Sequence, residues 1–348
     1  MSRRLMPARV PGARPHWARS NHDYPLIIDR GPLPTTEVMA WAQRQIAPAL
    51  DVIAGRGWVL SAIGLDNGES VVSLVVSHCV TDAQGMAAAV DLAVRSDLSQ
   101  AIPDLPRPTL RADLADAANT SVRLRTPAVS AAMRYVKTVP RGGANARVAG
   151  TPSTAVRLGN DQLDDIAATQ GGTVTGLILA ITANVVRSVR GRQVEELRIV
   201  MPVSLREQGD TSSGNKVAFT EVVFPPSGGA RYTDLREVRR RSKAAYAVAT
   251  PRTSPPSDCD AAVSAVGLVS QDIVDAVGSA CAFAGRSVMV PSDGEVARSN
   301  SATVFIYVVG SPDATSLTFV PGRIQTSPLD EPVHAELAQW GITPQFTW

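Results

Sequence analysis

The segment Val71–Gly85, VVSLVVSHCVTDAQG, is the strongest indication of architecture in the chain. Its first six residues are apolar or small and four of them are Val, which favours a buried strand. The Ala-rich segment from Gln84 to Leu98 carries a broad apolar face and predicts a helix. His78 is therefore expected at a strand-to-helix turn, where α/β folds tend to build active sites.

His78 and Asp82 are the polar residues of chemical interest in this segment. A histidine that follows a strand is a candidate general base, although many such histidines only complete a core or a surface. Asp82 has two interpretations. It could cap the following helix, or it could fix the turn by pairing with an arginine elsewhere or by orienting the imidazole.

A second segment of interest begins at Met201 and reads MPVSLR to Arg206, followed by a polar loop and then SGNKV from Ser213 to Val217. Strands are predicted on both sides of the loop, at Leu197–Val203 and Val217–Phe224, because both runs are rich in Val and other β-formers. The two runs predict a strand pair with a polar connection.

Together these segments resemble the superfamily that includes chloramphenicol acetyltransferase, nonribosomal peptide condensation domains, polyketide-associated acyltransferases and bacterial wax ester synthase/diacylglycerol acyltransferases. Ser77–Ala83 is similar to the superfamily's His-His-x-x-x-Asp-Gly motif, and Met201–Arg206 is similar to its Pro-Val-Ser-x-Arg strand. Ser213–Val217 resembles its Gly-Asn segment, and Ala297–Asn300 is a weaker match to a Ser-Asn segment. Each motif is short, so their shared order along the chain is the specific signal.

The resemblance implies an α/β fold with two chloramphenicol acetyltransferase-like lobes and an active-site channel between them. It implies transfer of an acyl group from a thioester to a hydroxyl, with His78 as general base. Asp82 and Arg206 would form a structural ion pair, and the residues lining the channel would be Ser77, Ser204 and Asn215. No tightly bound cofactor is implied, since acyl-CoA or a phosphopantetheine-linked acyl group is the co-substrate. The partners would be a small-molecule or lipid acceptor and an acyl carrier protein.

Three departures from the superfamily pattern leave alternatives open. Ser77 replaces the first His of the motif, and Ala83 replaces its Gly, which would strain the turn if a positive φ is needed there. Fewer residues precede the motif than in relatives, so loss of part of the first lobe's opening strand and helix stays open. The rival interpretations are an amide-forming condensation-domain relative and a degenerate, non-catalytic scaffold or partner-binding protein.

Composition argues against several other classes of protein, namely nucleic-acid-binding, disulfide-stabilised, metal-binding and membrane-spanning proteins. The formal net charge of +2 gives no support for nucleic-acid binding. The three cysteines, at positions 79, 259 and 281, show no Cys-x-x-Cys spacing, and the four histidines are scattered, so neither a disulfide framework nor a metal site is expected. A reducing, cytoplasmic location follows. No signal peptide is evident, and no run reaches the roughly 18–20 apolar residues that span a bilayer.

The expected organisation is a disordered basic tail at 1–22, an N-terminal lobe at 23–140, a linker at 141–153 and a C-terminal lobe at 154–348. The tail is rich in Arg and Pro, and contact of this arm with anionic lipid is an alternative to a solvated tail. Further elements follow from periodicity. They are helices at Thr35–Ile53, Thr173–Val189 and from after Asp258 to about Ala284, a helix beginning at Asp161–Thr169, and strands at Ala302–Val309 and Leu317–Val320.

The segment Leu235–Lys243, LREVRRRSK, is the densest basic run. One interpretation is a docking site for the phosphates of coenzyme A or for the acidic face of a carrier protein. The other is a solvated helix face, which is the common role of such a run.

Overall fold

The structure is a computed structural model of the 348-residue chain. It describes residues 3–22, 24, 26–46, 50–96, 108–123, 153–191, 196–207, 215–248, 259–278, 282–285, 302–322 and 327–348. The predicted linker at 141–153, apart from Ser153, lies outside the described residues, as do Ser213 and Ala297–Asn300. The division of the chain at that linker stays a prediction.

In the N-terminal part, the described residues form a hairpin, a small sheet and three α-helices. Strands β1 (Arg3–Met6) and β2 (His16–Arg19) form the hairpin. Strands β3 (Leu26–Ile28), β4 (Trp58–Gly64) and β5 (Ser70–Val76) form a sheet in that order, with β3 parallel and β5 antiparallel to β4. The helices are α1 (Val38–Gln45), α2 (Ala83–Val94) and α3 (Leu110–Arg123).

The C-terminal part is built on a seven-stranded mixed sheet of order β12-β6-β11-β10-β9-β7-β8. Its strands are β6 (Thr154–Gly159), β7 (Leu197–Ser204), β8 (Val217–Phe224), β9 (Ala261–Leu268), β10 (Val304–Gly310), β11 (Ala314–Pro321) and β12 (Phe346–Thr347). Its helices are α4 (Asn160–Thr169), α5 (Val174–Arg190), α6 (Leu235–Ala247), α7 (Gln271–Val277) and α8 (Asp330–Gln339).

The main core lies where α5 covers this sheet. Leu177, Ile181 and Val185 of α5 are fully buried among the apolar side chains of the strands, α6 and α8. This explains why α5 has few charges except at its end. No single described helix is long and apolar enough to cross a bilayer, and α4 with α5, bent by 85°, reaches that length and composition only as a pair.

The expected disordered tail is wrong for Arg3–Arg19, because this segment forms the β1–β2 hairpin. Its turn runs from Val10 to Ala13, where the Ala13 amide donates to the Val10 carbonyl oxygen at 3.1 Å and Gly12 has a φ of +89°. The Leu5 amide donates to the carbonyl oxygen of Val52 at 2.8 Å, which ties the hairpin to the N-terminal part. The backbone pairing of the two strands and this hydrogen bond order the segment, although its Arg- and Pro-rich composition is typical of a disordered tail.

Two helix predictions also need correction. The Ala- and Val-rich segment that follows Asp258 forms strand β9, and a helix appears only afterwards, over Gln271–Val277. Strand β9 is parallel to both β7 and β10, so pairing on two sides overrides the helix propensity of its alanines. The helix expected over Thr35–Ile53 begins with a 3₁₀ turn and ends at Gln45.

Helix α2 connects the two parts of the molecule. Its Val90 packs against a cluster formed by Ile273 and Val274 of α7 together with Val269 and Val309. Arg95, at the end of α2, lies 2.7 Å from a carboxylate oxygen of Asp272. The residue directly before α2 therefore lies at the junction between the lobes.

Candidate active site

His78 lies in a tight turn at the end of β5. The Val80 amide donates to the Ser77 carbonyl oxygen at 2.8 Å, so residues 77–80 form a hydrogen-bonded β-turn with His78 at its second position. The Ser77 hydroxyl accepts from the Cys79 amide at 3.3 Å, and Val80 is buried. The turn thus anchors Val80 inside and exposes the side chains of His78 and Cys79.

Asp82 connects this turn to the C-terminal lobe. Its carboxylate accepts from the Arg206 Nε at 2.9 and 3.1 Å and from the Arg206 Nη2 at 2.9 Å. It also accepts from the backbone amides of Gly85 at 2.9 Å and Lys216 at 3.0 Å. The Asp82 and Arg206 side chains are only 7% and 5% exposed. We call Asp82, Gly85, Arg206 and Lys216 the interlobe clamp.

The two interpretations of Asp82 are therefore both realised. Asp82 caps α2 through the Gly85 amide, and it pairs with Arg206 at the end of β7. It does not contact the His78 imidazole, whose described surroundings contain no hydrogen-bond partner for either ring nitrogen. The link between Asp82 and His78 in this structure is therefore the backbone that joins the turn to α2.

Electrostatics favour the charged form of Asp82. Burial by itself would raise the pKa of this carboxyl, but the hydrogen bonds from Arg206, Lys216 and Gly85 and the positive charge of Arg206 outweigh it. The net effect lowers the pKa of Asp82 below its usual value. Removing one member of such a buried pair typically costs about 3–5 kcal/mol because the other charge stays buried.

Gly85 is a clamp residue that sequence reasoning missed. A Cβ at this position would lie 2.2 Å from the Thr81 Oγ1 and 2.8 Å from the Arg206 Nη2. The guanidinium therefore packs directly on the first turn of α2, and only a glycine leaves room for it. The sequence signal was a Gly three residues after a candidate N-cap, which is unusual in a helix.

The residues expected to line a channel make hydrogen bonds to the backbone. Asn215 donates from its Nδ2 to the His78 carbonyl oxygen at 2.6 Å, which is a second link between the turn and the segment before β8. The Ser204 hydroxyl accepts from the Arg206 amide at 3.2 Å, as the Ser77 hydroxyl does within its own turn. The structure thus brings Asn215 to His78, whereas both serines hold local backbone.

Ala83 does not strain the turn. It is the first residue of α2, and among the described residues Ser96 alone combines a side chain with a positive φ. The condition under which a Cβ at Ala83 would be harmful, a positive φ, is therefore absent at this position. The glycine that this chain needs lies two residues later.

Within the described ranges, no group of three or more His, Cys, Asp and Glu side chains is arranged to hold a metal ion. One described cleft, of about 200 Å³, lies between the end of β8 and α6, where its walls include Phe224, Tyr232 and Arg241. Phe224 ends β8, whereas the clamp lies before its first residue, so this cleft is separate from His78.

Comparison with known proteins identifies the fold. No family model matches the sequence. No curated protein matches it either. Among solved structures, the first condensation domain of the calcium-dependent antibiotic synthetase, in complex with a substrate analogue, is 16% identical with a TM-score of 0.54, over 99% of this chain and 85% of that chain.

Two other solved structures are similar over nearly the whole chain. The wax ester synthase/diacylglycerol acyltransferase from Marinobacter aquaeolei VT8 is 12% identical with a TM-score of 0.53, over 98% of this chain and 86% of that one. A condensation domain for chain release from the enacyloxin polyketide synthase is 12% identical with a TM-score of 0.51, over 97% and 72%. The expected two-lobed α/β fold is confirmed, and the resemblance stated from the motifs is confirmed at the level of fold.

Proposed function

We propose that this protein is an acyltransferase that moves an acyl group from a thioester to a hydroxyl acceptor, with His78 as general base. The observation that carries the proposal is the attachment of the His78 turn to the opposite lobe. Two side-chain contacts make that attachment, from Arg206 to Asp82 and from Asn215 to the His78 carbonyl oxygen. An exposed imidazole held by both lobes is placed to act on substrates that meet between them.

The proposed reaction is a direct transfer. The neutral His78 imidazole accepts the proton of the acceptor hydroxyl as its oxygen attacks the thioester carbonyl carbon. The new C–O bond forms, and the tetrahedral oxyanion collapses by breaking the C–S bond. The departing thiolate takes the proton back from the imidazolium, so the enzyme is regenerated without a covalent intermediate. A positioned base of this kind contributes typically about 10²–10⁴-fold to the rate.

The clamp supplies position. A base must lie within hydrogen-bond reach of the proton it removes, so a loosely held turn would lose most of its effect. Within the turn, the Ser77 hydroxyl accepts from the Cys79 amide, and Asn215 donates to the His78 carbonyl oxygen. Asp82 fixes the start of α2 by accepting from the Gly85 amide. In this proposal Asp82, Arg206 and Asn215 are positioning residues, and the donor is acyl-CoA or a carrier-bound thioester.

Cys79 is the neighbouring nucleophile and is assigned no role. It is exposed and its thiol is free. Cys79 follows His78 in the turn. The hydrogen bond described for Cys79 runs from its backbone amide to the Ser77 hydroxyl, and it does not involve the thiol. A Cys–His pair that shares a proton needs the two side chains within hydrogen-bond reach. No such contact occurs between these two described residues.

The test is release of free thiol from acyl-CoAs of several chain lengths, and from the same acyl groups on a carrier protein, with small alcohols and amines as acceptors. The variant is His78→Ala. The matched control is His334→Ala on α8, a histidine of the C-terminal lobe far along the chain from the clamp. Product mass distinguishes an ester from an amide.

We expect acceptor-dependent thiol release and an ester product with the wild-type protein and with His334→Ala, and loss of both with His78→Ala. An amide product would show that the acceptor is an amine and not a hydroxyl, and it would favour the amide-forming condensation-domain relative. Equal thiol release by wild type and His78→Ala with every donor would contradict the proposal and favour the non-catalytic scaffold.

A further inference from the structure

Helix α6, Leu235–Ala247, carries a line of exposed cationic side chains. At 100° per residue, positions 236, 239, 240 and 243 fall within about one quarter to one third of the helix circumference. All four are exposed, and the opposite face, which includes Leu235, Val238 and Ala245, is buried against the core. We call the exposed set the basic stripe; its members are Arg236, Arg239, Arg240 and Lys243.

Most of this charge is not neutralised within the helix. Glu237 is the sole carboxylate of α6, and it contacts Arg240 and Arg241, each at 2.7 Å. The hydrogen bond from Arg240, together with the charges of Arg241 and Arg240, overcomes desolvation and lowers the pKa of Glu237 to about 2. Among the described residues, no carboxylate contacts the side chains of Arg236, Arg239 or Lys243.

The length of the stripe fits one partner helix. From Arg236 to Lys243 the helix rises through seven residues, which is about 10 Å at 1.5 Å per residue. Acidic side chains at positions i, i+3 and i+7 of another helix would be spaced in the same way. Because the chain as a whole carries only +2, this density of positive charge is local.

The stripe also leads toward the candidate active site. The Ala245 carbonyl oxygen accepts from the Thr220 Oγ1 of β8 at 2.8 Å. Strand β8 follows directly after Lys216, whose amide donates to Asp82 in the clamp. Four residues of extended chain separate Thr220 from Lys216, which is about 13 Å. A partner bound to α6 would therefore lie beside β8, the edge strand of the sheet. The residues just before β8 contact the His78 turn and Asp82.

We propose that the basic stripe of α6 docks an acidic helix of an acyl carrier protein, which delivers the thioester donor. This inference rests on the proposed function for the identity of the donor. A soluble acidic protein fits better than a membrane, because interfacial helices insert their apolar face into lipid and the apolar face of α6 is already buried. Nucleic acid is also a poorer fit, because four cationic side chains on one helix would neutralise only a few phosphates.

The test compares two variants with the same change in charge. The stripe variant is Arg236→Glu/Arg239→Glu/Lys243→Glu. The control is Arg30→Glu/Arg44→Glu/Arg111→Glu, three exposed arginines of the N-terminal part that contact no described carboxylate. The probes are an acidic acyl carrier protein in its apo form for binding, the same carrier loaded with an acyl group, the corresponding acyl-CoA, and anionic phosphatidylglycerol vesicles.

For the wild-type protein and the control variant we expect carrier binding that weakens with added salt. The stripe variant should bind the carrier at least about tenfold more weakly, as reversal of several rim charges predicts. Its KM for the carrier-bound donor should rise by a similar factor, and its KM for acyl-CoA should stay unchanged.

Three outcomes would overturn the docking proposal. They are no carrier binding by the wild-type protein, equal loss in both variants, and stripe-dependent binding of vesicles alone. Carrier binding is measured without turnover, so it separates the two proposals. If the stripe binds the carrier while no donor is turned over, the docking surface stands and the acyltransferase assignment fails.

Discussion

Asp82 is the residue on which the geometry of the site depends most. One carboxylate caps α2, pairs with Arg206 at the end of β7 and accepts from the Lys216 amide before β8. Four donor groups surround this carboxylate, and they come from three separate segments of the chain. They are the Nε and Nη2 of Arg206 and the backbone amides of Gly85 and Lys216. A change at any of them should alter the position of the His78 turn without touching the imidazole.

Gly85→Ala tests the packing of the clamp. The added Cβ would lie 2.8 Å from the Arg206 Nη2, so either the guanidinium or the helix start must move. We expect a loss of about 1–3 kcal/mol in the free energy of unfolding, measured by urea denaturation. Gly176→Ala is the matched control, because Gly176 also lies three residues after an N-cap and its nearest neighbour would be 3.4 Å away.

For Gly176→Ala we expect a gain of up to about 1 kcal/mol, since Ala has the higher helix propensity. A similar gain in Gly85→Ala would show that Arg206 does not pack on α2.

Asp82→Asn tests the electrostatics of the clamp through pH. The pKa of Asp82 is lowered in the folded protein, so its charge stabilises the fold above the unfolded-state pKa of about 3.9. That contribution is lost as pH falls through the lower, folded-state pKa. We expect Asp82→Asn to be less stable at neutral pH by about 3 kcal/mol.

The stability difference between wild type and Asp82→Asn should begin to shrink as pH falls below about 4, where the carboxylate of the unfolded wild-type chain is protonated, and should disappear below the lower, folded-state pKa. Urea unfolding of both proteins between pH 7 and pH 2.5 measures it. A difference that is constant across this range would contradict a charged Asp82 in the clamp.

At the scale of elements, the sequence was most informative where propensity and tertiary packing agree. Strands β5, β7 and β8 and helix α5 have bounds close to those predicted. Strand β9 was missed because its Ala- and Val-rich sequence suits a helix until β7 and β10 pair with it. The pairing of Asp82 with Arg206 was expected from the resemblance alone. No local pattern could reveal the contact of Gly85 with Arg206, because it joins distant segments.

The β1–β2 hairpin was also missed, although its turn carries a recognisable signal. Val10-Pro11-Gly12-Ala13 has Pro at the second position and Gly, with a φ of +89°, at the third, as a type II turn requires. The Arg-rich composition concealed this. The turn makes the hairpin testable by substitution at a single position.

Gly12→Ala should weaken the hairpin by about 1–2 kcal/mol, because a residue with a Cβ resists a left-handed conformation. Gly12→Asn should cost less, since Asn tolerates that region. Space is not limiting, as the nearest atom to an added Cβ is 4.0 Å away. Hydrogen exchange of the β1 and β2 amides measures the effect. Identical exchange in all three proteins would mean that the segment is a solvated tail.

At the scale of the whole molecule, several contacts among the described residues join the lobes. Helix α2 packs on α7, the clamp connects Asp82 to Arg206, and Trp348 at the C-terminus packs beside the N-terminal cluster around Trp41. The His78 turn directly precedes the first two of these contacts along the chain. The proposed role for the rest of the fold is therefore to hold this turn against the opposite lobe.

The most direct test of this account is the rate of acyl transfer in a single turnover, with enzyme in excess over thioester, for wild type, His78→Ala and Cys79→Ser. Both side chains are exposed, so both variants should unfold with the wild-type free energy. The account predicts a rate lower by about 10²–10⁴-fold in His78→Ala and an unchanged rate in Cys79→Ser. A folded His78→Ala protein that transfers the acyl group at the wild-type rate would contradict it.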